Sequence, residues 1–388
     1  MEVDFDHPID RRNSDSLKWR EARTADVIPM WIADMDFASP PCVLRAMRQR
    51  VDHGVFGYSV ATDEVNQSMV AWAESHYGWR IEAEWVVWLP GLVPGIHVAC
   101  QACAAAEDEV LTFVPIYPPF LTAPLARGRS VNRVPLTQEN GTWGIDIDAL
   151  SKAITSRTRL LLFCNPHNPV GRAFGYEELA AVAEVCRRHG LYVCSDEIHC
   201  DLMLTQKKHI PLASLDDEIA NRSITLMSPA KTFNTTGLNC GFAVIPNHDL
   251  RRRFQSVASG MVPQPNGVAY AACRAAFDEG EEWRKALIDY LRENRDLLES
   301  FLSERLPMFS MSHVEATYLA WIDTRWLCRQ NEVSFFEKAG VQLSDGAAFG
   351  GRGFMRLNFG CPRARLRAAL ERILQAVKNL DKPPNCTR

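Results

Sequence analysis

Short apolar runs that alternate with helical segments constrain the fold of this chain more than any other feature of its sequence. The runs carry apolar residues on both faces and span residues 85–89, 109–114, 159–164, 191–194, 223–227 and 241–245. Parallel strands that are buried on both faces have this composition, and the helices between them cover the sheet. The pattern therefore predicts an α/β domain with a mostly parallel sheet between two layers of helices.

The pattern changes past residue 280, where a long charged helix is predicted for residues 281–305. Two further strands, at 317–323 and 354–359, and an amphipathic helix at 362–380 follow it. Strands and helices that are no longer interleaved are typical of an α+β unit. We therefore predict a second, smaller α+β domain after the large one.

A chain of 388 residues is long enough for two or three domains. We place an N-terminal arm, with a segment of the small domain, at residues 1–42. The large domain is predicted at residues 43–285 and the small C-terminal domain at residues 286–388.

The charge balance argues against nucleic acid or an anionic membrane as a partner. The formal net charge is −4, and charged residues make up 23% of a chain that is 47% hydrophobic. Such a composition is ordinary for a globular protein and provides no basic surface. The chain has no apolar run of about 18 residues, and its acidic start lacks the layout of a signal peptide. We expect a cytoplasmic protein.

The 12 cysteines are predicted to be reduced and buried, because most of them lie inside apolar runs. Cys100 and Cys103 have the CxxC spacing of some metal and redox sites. No second CxxC accompanies them, and their setting is helical. We interpret them as core packing and expect no metal site.

Lys231 follows the strand predicted at residues 223–227, after a Ser228-Pro229 turn. A lysine beside apolar neighbours is partly desolvated, which favours the neutral amine and makes it a nucleophile toward a carbonyl. A lysine after a strand also commonly extends to water. The residue alone does not decide between these two interpretations.

Other polar groups also follow predicted strands, so they are expected to meet Lys231 at one edge of the sheet. Gly91-Leu92-Val93 precedes a helix and is either an anion-binding cradle or a plain turn. Asp196 ends an apolar strand, where its carboxylate needs a protonated ring nitrogen or an arginine as a partner. Asn165 to Gly171 forms a turn that holds amide side chains between prolines.

Seven blocks in the chain give it a family resemblance. They are Pro29 to Phe37, Phe56 to Tyr58, Tyr117 to Phe120, Asn165 to Gly171, Ser195 to His199, Lys231 to Asn234 and Gly353 to Asn358. The sequence resembles the pyridoxal-phosphate-dependent enzymes of fold type I, the aspartate aminotransferase fold, over nearly its whole length. It is most similar to their cystathionine β-lyase branch, typified by MalY and PatB, because His199 stands where ordinary aminotransferases have tyrosine.

The resemblance implies a seven-stranded sheet in the large domain and a pyridoxal phosphate cofactor bound covalently by Lys231. Asp196 would pair with the ring nitrogen, Asn168 would bond the phenolic oxygen, and Tyr117 would stack on the ring. The residues implied for the phosphate are Gly91, Leu92, Val93 and Ser228, with Tyr58 reaching it from the neighbouring subunit of a homodimer with shared active sites.

The substrate side of the site is implied in the same way. Arg356 would bind the carboxylate of an amino acid, although a surface arginine on a strand is the alternative. Trp31 and Asn168 would line the substrate pocket. The Asp34 and Asp36 carboxylates would either shape that pocket or cap local backbone. His199 would contact the cofactor ring or only pack beside it.

The resemblance implies a carbon–sulfur β-lyase that converts cystathionine or a cysteine S-conjugate to thiol, pyruvate and ammonia. An aminotransferase, an S-conjugate lyase or decarboxylating deaminase of specialised metabolism, and a regulator-binding protein of the MalY type remain alternatives. The chain departs from the family pattern beside Lys231, at Ala230, Thr235, Thr236 and Asn239. These departures leave the natural substrate open.

Overall fold

A computed structural model describes residues 4–22, 26–327 and 331–380 of the chain. In chain order its strands are β1 (Ile28–Pro29), β2 (Val86–Leu89), β3 (Glu109–Val114), β4 (Ser130–Pro135), β5 (Thr137–Glu139), β6 (Thr142–Gly144), β7 (Thr158–Cys164), β8 (Tyr192–Asp196), β9 (Ser223–Met227), β10 (Gly241–Val244), β11 (Ser310–Met311), β12 (Leu319–Asp323), β13 (Val341–Gln342), β14 (Ser344–Asp345) and β15 (Phe354–Asn358). Its helices are α1 (Leu17–Arg20), α2 (Pro41–Asp52), α3 (Asp63–Tyr77), α4 (Leu92–Cys103), α5 (Pro119–Leu125), α6 (Ile147–Lys152), α7 (Tyr176–His189), α8 (Asp217–Ala220), α9 (His248–Ala258), α10 (Gly267–Glu279), α11 (Glu281–Arg305), α12 (Glu332–Lys338) and α13 (Arg363–Lys378).

The main sheet has seven strands in the order β2-β10-β9-β8-β7-β3-β4. Its pairs are parallel except for β10, which is antiparallel to both β9 and β2. Side chains of α4 and α9 pack with one face of the sheet, and side chains of α6 and α7 pack with the other. The predicted seven-stranded, mostly parallel sheet between helices is confirmed.

The direction of the strands determines where the functional groups meet. Because β10 is antiparallel to both of its neighbours, β2 points the same way as β9, β8, β7 and β3. The segments after the carboxyl ends of these strands therefore share one edge of the sheet, the usual position of a ligand site in an open α/β sheet.

A second, antiparallel sheet has the strand order β11-β12-β15-β14, and α11 packs with α13 beside it. Near the N-terminus β1 pairs in parallel with β13, through Ile28 and Val341. The chain therefore starts beside the smaller sheet before it enters the larger one. The domain boundaries at residues 42 and 285 stay a prediction.

Several predicted bounds need correction. The helix predicted at residues 362–380 spans Arg363–Lys378, and the strand predicted at residues 354–359 ends at Asn358. The strand expected to start at residue 317 starts at Leu319, and Thr317 has a positive φ of 76°. Within the described ranges no helix is both long and apolar enough to cross a membrane. All ten cysteines there are free and buried, as predicted.

Candidate active site

Lys231 lies four residues beyond the end of β9, at the carboxyl edge of the main sheet. Its amine donates a hydrogen bond to the backbone carbonyl of Ala33. Burial lowers the pKa of Lys231 from 10.5 to about 8. This effect of burial is larger than the opposite effect of the Asp34 carboxylate, which favours the ammonium form. About a tenth of this amine is therefore neutral at pH 7, and the neutral amine is the form that attacks carbonyl groups.

Asp196 is the last residue of β8, and only 6% of its surface is exposed. Its Oδ1 accepts a hydrogen bond of 3.1 Å from the backbone amide of Ile198. Within the described residues no basic side chain forms an ion pair with it, so the arginine partner considered from the sequence is wrong. Burial raises the pKa of Asp196 to about 7. The carboxylate needs a cationic partner from a ligand.

Arg356 lies in β15 of the smaller sheet, and its side chain is buried, contrary to the surface alternative. One terminal nitrogen donates to Asn168 Oδ1 at 3.0 Å and the other to the Trp31 carbonyl at 2.9 Å. Its Nε has no hydrogen-bond partner, and no described carboxylate pairs with it. Burial lowers the pKa of Arg356 to about 10. A buried guanidinium without an acid is suited to bind a carboxylate ligand.

Three predicted residues stand around these charges. Asn168, in the turn after β7, contacts Arg356 through its side-chain oxygen. Tyr117 follows β3, is partly buried, and has its pKa raised by burial. His199 is buried with an unpartnered Nδ1, and its ring packs edge-on against Tyr318 at 6.0 Å. Burial lowers the pKa of His199 to about 3, so the ring is neutral at this site.

Backbone amides supply the predicted anion cradle. Gly91 is the residue before α4 and has φ 154°, a conformation that glycine adopts more readily than other residues. The N-terminus of α4 at Leu92 and Val93 therefore opens toward the same edge as Lys231. The Ser228 hydroxyl donates to the Cys240 carbonyl at 2.6 Å and accepts from the Ala230 amide. Its role as a phosphate donor stays a prediction.

Tyr58 lies away from these groups. It belongs to an irregular segment between α2 and α3, and its side chain is fully exposed. One chain alone does not bring Tyr58 to Lys231. The prediction that it reaches the site of a neighbouring subunit remains a prediction.

Asp36 was misinterpreted from the sequence. It is buried and accepts from Arg11 at 2.8 Å, from Lys18 at 3.1 Å and from the Trp19 indole, and Arg365 lies 2.8 Å away. Asp34 shares Arg11 with it. Asp36 therefore anchors an ion cluster and is not free to shape the substrate pocket or cap local backbone. Asp34 also faces the Lys231 amine and favours its ammonium form, and the part of Asp34 in shaping the pocket stays a prediction.

Sequence reasoning also missed Tyr318 and Asn358. The Tyr318 hydroxyl donates to the Ala33 carbonyl at 3.1 Å, and the Asn358 amide donates to the carbonyls of Ile32 and Asp34. Tyr318 has no distinguishing signal in its apolar surroundings. Asn358 had one, since a polar residue two positions after Arg356 falls on the same face of a buried strand.

The groups at this edge fit pyridoxal phosphate. A partly neutral lysine could condense with its aldehyde, the unpaired Asp196 could pair with its ring nitrogen, and the N-terminus of α4 could receive its phosphate. Arg356 is left for the carboxylate of an amino acid. Fold and site together define a pyridoxal-phosphate-dependent enzyme of fold type I.

Comparisons with known proteins agree. The model of the family Aminotransferase class I and II matches residues 25–373. Cystathionine beta-lyase PatB of Bacillus subtilis (strain 168) is 36% identical over 386 residues, which cover 97% of this chain and 100% of PatB. The chain belongs to the aminotransferase class I and II family, and its predicted place in the cystathionine β-lyase branch is confirmed.

Solved structures give the same result. The crystal structure of OvoB has a TM-score of 0.94 and 46% sequence identity, covering 97% of this chain and 99% of that one. The crystal structure of cystalysin from Treponema denticola contains a pyridoxal 5'-phosphate cofactor. It has a TM-score of 0.95 and 31% identity, covering 98% of this chain and 100% of that one. The predicted cofactor is confirmed.

Proposed function

We propose that this enzyme is a carbon–sulfur β-lyase that acts on a cysteine S-conjugate or cystathionine. The observation that carries the choice of reaction is the similarity to a protein named cystathionine beta-lyase across 97% of the chain. The site supports an amino-acid substrate, because no acid among the described residues pairs with the buried guanidinium of Arg356, and its Nε has no hydrogen-bond partner there. The products would be a thiol, pyruvate and ammonia.

In this proposal four side chains hold the ring of the cofactor. Lys231 binds the cofactor covalently, and Asp196 pairs with its ring nitrogen. Asn168 bonds the phenolic oxygen, and Tyr117 stacks on the ring. When bound, pyridoxal phosphate supplies a ring that stabilises negative charge at the substrate Cα.

The phosphate and substrate contacts complete the assignment. Backbone amides of Gly91, Leu92 and Val93 and the side chain of Ser228 hold the phosphate, together with Tyr58 of a second subunit. Arg356 orients the substrate through its carboxylate, and Trp31 lines the pocket. His199 packs at the ring as a neutral side chain, consistent with its lowered pKa.

Lys231 then moves the proton. As a free amine, Lys231 would take the proton from the substrate Cα as a general base. The Cβ–S bond breaks and its electron pair leaves with the sulfur as a thiolate. The remaining three-carbon unit takes up water and yields pyruvate and ammonia. A base with a pKa of about 8 suits this step, since it is both available and basic near neutral pH.

The experiment that tests this proposal measures products with and without a 2-oxo acid. The holoenzyme is incubated with cystathionine and with a panel of S-substituted cysteines, and thiol, pyruvate and ammonia are quantified. We expect the three products in equal amounts without any 2-oxo acid, and no turnover by Lys231→Ala. Turnover that requires the 2-oxo acid would instead identify an aminotransferase.

A panel is needed because the chain departs from its relatives beside the site. Ala230 is buried next to Lys231, and Asn239 is in the left-handed region, with φ 56°. Thr235 and Thr236 lie between them. The substrate with the highest kcat/KM in the panel would define the leaving group that these residues accept.

A further inference from the structure

The segment of residues 31–35 crosses the site between the two sheets, and each of its five backbone carbonyls accepts a side-chain hydrogen bond. Arg356 and Ser344 donate to the carbonyl of Trp31, and Asn358 donates to the carbonyls of Ile32 and Asp34. Lys231 and Tyr318 donate to the carbonyl of Ala33, and Lys18 also donates to that of Asp34. Asn234 and Arg11 donate to the carbonyl of Met35. A run of carbonyls bound in this way is held rigidly, because each bond restricts rotation of its peptide plane.

The Ala33 carbonyl is the member of this run that contacts Lys231. It accepts from the lysine amine and, at 3.1 Å, from the Tyr318 hydroxyl. A carbonyl oxygen has two lone pairs, so it can take both donors. The lysine amine and the tyrosine hydroxyl are therefore held on one oxygen.

Tyr318 and Asn358 are fixed by their surroundings. The Tyr318 side chain is fully buried, and its ring packs against His199. Asn358 is 1% exposed, donates at 2.6 Å to the carbonyls on both sides of Ala33, and accepts from the Gly360 amide at 2.8 Å. Neither side chain has room for another rotamer without losing these bonds.

We propose that the Ala33 carbonyl holds the Lys231 amine whenever the lysine is not bonded to the cofactor, and that Tyr318 and Asn358 are positioning residues that fix this carbonyl. The inference rests on the proposed role of Lys231 as the cofactor-binding base. It adds an acceptor that keeps one N–H of the freed amine bonded, so that the amine stays beside the substrate while it takes the α-proton.

The charges that face Lys231 determine what this acceptor does. Asp34 and Asp196 favour the ammonium form, whereas burial and Arg356 disfavour it. Tyr318 carries no charge, because burial raises its pKa further above 10, and His199 is neutral. A fixed carbonyl dipole that points at the amine favours the ammonium form. If the Ala33 carbonyl is held less firmly, the pKa of Lys231 should therefore fall.

The test uses the cofactor-free protein and the variant Tyr318→Phe, which removes only the hydroxyl. The neutral Lys231 amine is labelled with acetic anhydride from neutral to alkaline pH, and its peptide is quantified by mass spectrometry. We expect the pKa of Lys231 to fall by about half a unit to one unit, the size of one buried hydrogen bond. Tyr270→Phe is the control, because Tyr270 is also buried and donates one bond, to Gln264.

Asn358→Leu provides a second variant that removes both bonds to the neighbouring carbonyls. It should lower the pKa of Lys231 in the same direction, with kcat of the holoenzyme falling more than KM changes. An unchanged or raised pKa in both variants, with folding intact by circular dichroism, would overturn the inference. Since the labelling needs neither cofactor nor substrate, a failure of the proposed lyase reaction would not alter its result.

Discussion

At the scale of single residues, the site consists of buried charges that lack full partners. Burial raises the pKa of Asp196 to about 7 and lowers the pKa of Lys231 to about 8. Both shifts favour the neutral form of the side chain, so each group is destabilising when it is charged in the cofactor-free protein. The site is thus arranged for a ligand that supplies the missing charges, at a cost in stability to the fold without it.

The pH dependence of stability should reveal the Asp196 contribution. Its folded pKa of about 7 lies above its ordinary value of 3.8, so the folded state binds a proton that the unfolded state has lost. Stability from this group is present below pH 3.8 and disappears as the pH rises through about 7. In the cofactor-free protein, Asp196→Asn should therefore gain stability relative to the wild type as the pH rises from 5 to 8, by roughly 2–3 kcal/mol.

Urea unfolding of both proteins at the two pH values measures this difference. Asp249→Asn is the control, because Asp249 is an exposed acid at the start of α9. The control should show the same pH dependence as the wild type. A difference between Asp196→Asn and the wild type that does not change with pH would contradict the assignment.

At the scale of elements, apolar runs predicted the central strands to within two residues. They did not predict β4, whose side chains are largely exposed at the sheet edge, because an edge strand lacks a continuous apolar run. Nor could they predict that β10 is antiparallel, since an apolar run has no direction. The ends of strands did locate Lys231 and Asp196, because a lone polar residue there needs a partner.

The role of the segment of residues 31–35 could not be predicted from the sequence. Its contacts are made by backbone carbonyls, which every residue has, and their donors lie up to 326 positions away in the chain. Asp36 follows this segment and fixes it to the C-terminal helix α13 through Arg365 and to the N-terminal residues Arg11 and Lys18. The ion cluster therefore determines where the segment enters the site.

Asp36→Asn should destabilise the protein strongly. It removes the only negative charge that is fully buried among these described cations, and breaking a buried ion cluster in this way costs about 3–5 kcal/mol. Urea unfolding measures the loss. Asp10→Asn is a matched control, since Asp10 pairs with Arg12 on the surface of the same N-terminal segment and both side chains are more than half exposed. A similar loss of unfolding free energy in both variants would show that burial of the Asp36 cluster contributes nothing to stability.

At the scale of the whole molecule, Tyr58 is the predicted site residue that one chain does not bring to the edge of the sheet where Lys231 lies. Between α2 and α3 the side chains of Val55, Phe56, Tyr58 and Val60 are exposed by 62%, 65%, 112% and 77%. An apolar segment of this kind is typical of a contact with another protein. In the homodimer that we propose, it would carry Tyr58 to the phosphate of the neighbouring subunit.

Subunit mixing tests this arrangement directly. Lys231→Ala and Tyr58→Ala chains should each form dimers with little or no activity. In a mixed dimer with shared sites, one site carries both substitutions and the other carries neither. After unfolding and refolding an equimolar mixture, activity should return to about a quarter of the wild-type value, because half of the dimers are mixed and each has one intact site.

A mixture of Lys231→Ala with Asp196→Asn chains is the control for this experiment. Asp196 ends β8 and Lys231 follows the adjacent strand β9, so the two residues belong to the same site in one chain. Every mixed dimer would then have one defect in each of its two sites, and no activity should return. Recovery in the control, or no recovery with Tyr58→Ala despite mixed dimers seen by native mass spectrometry, would place Tyr58 outside the neighbouring site. Recovery confined to the Tyr58 mixture can arise only if each site draws residues from both chains, because neither chain alone holds an intact set.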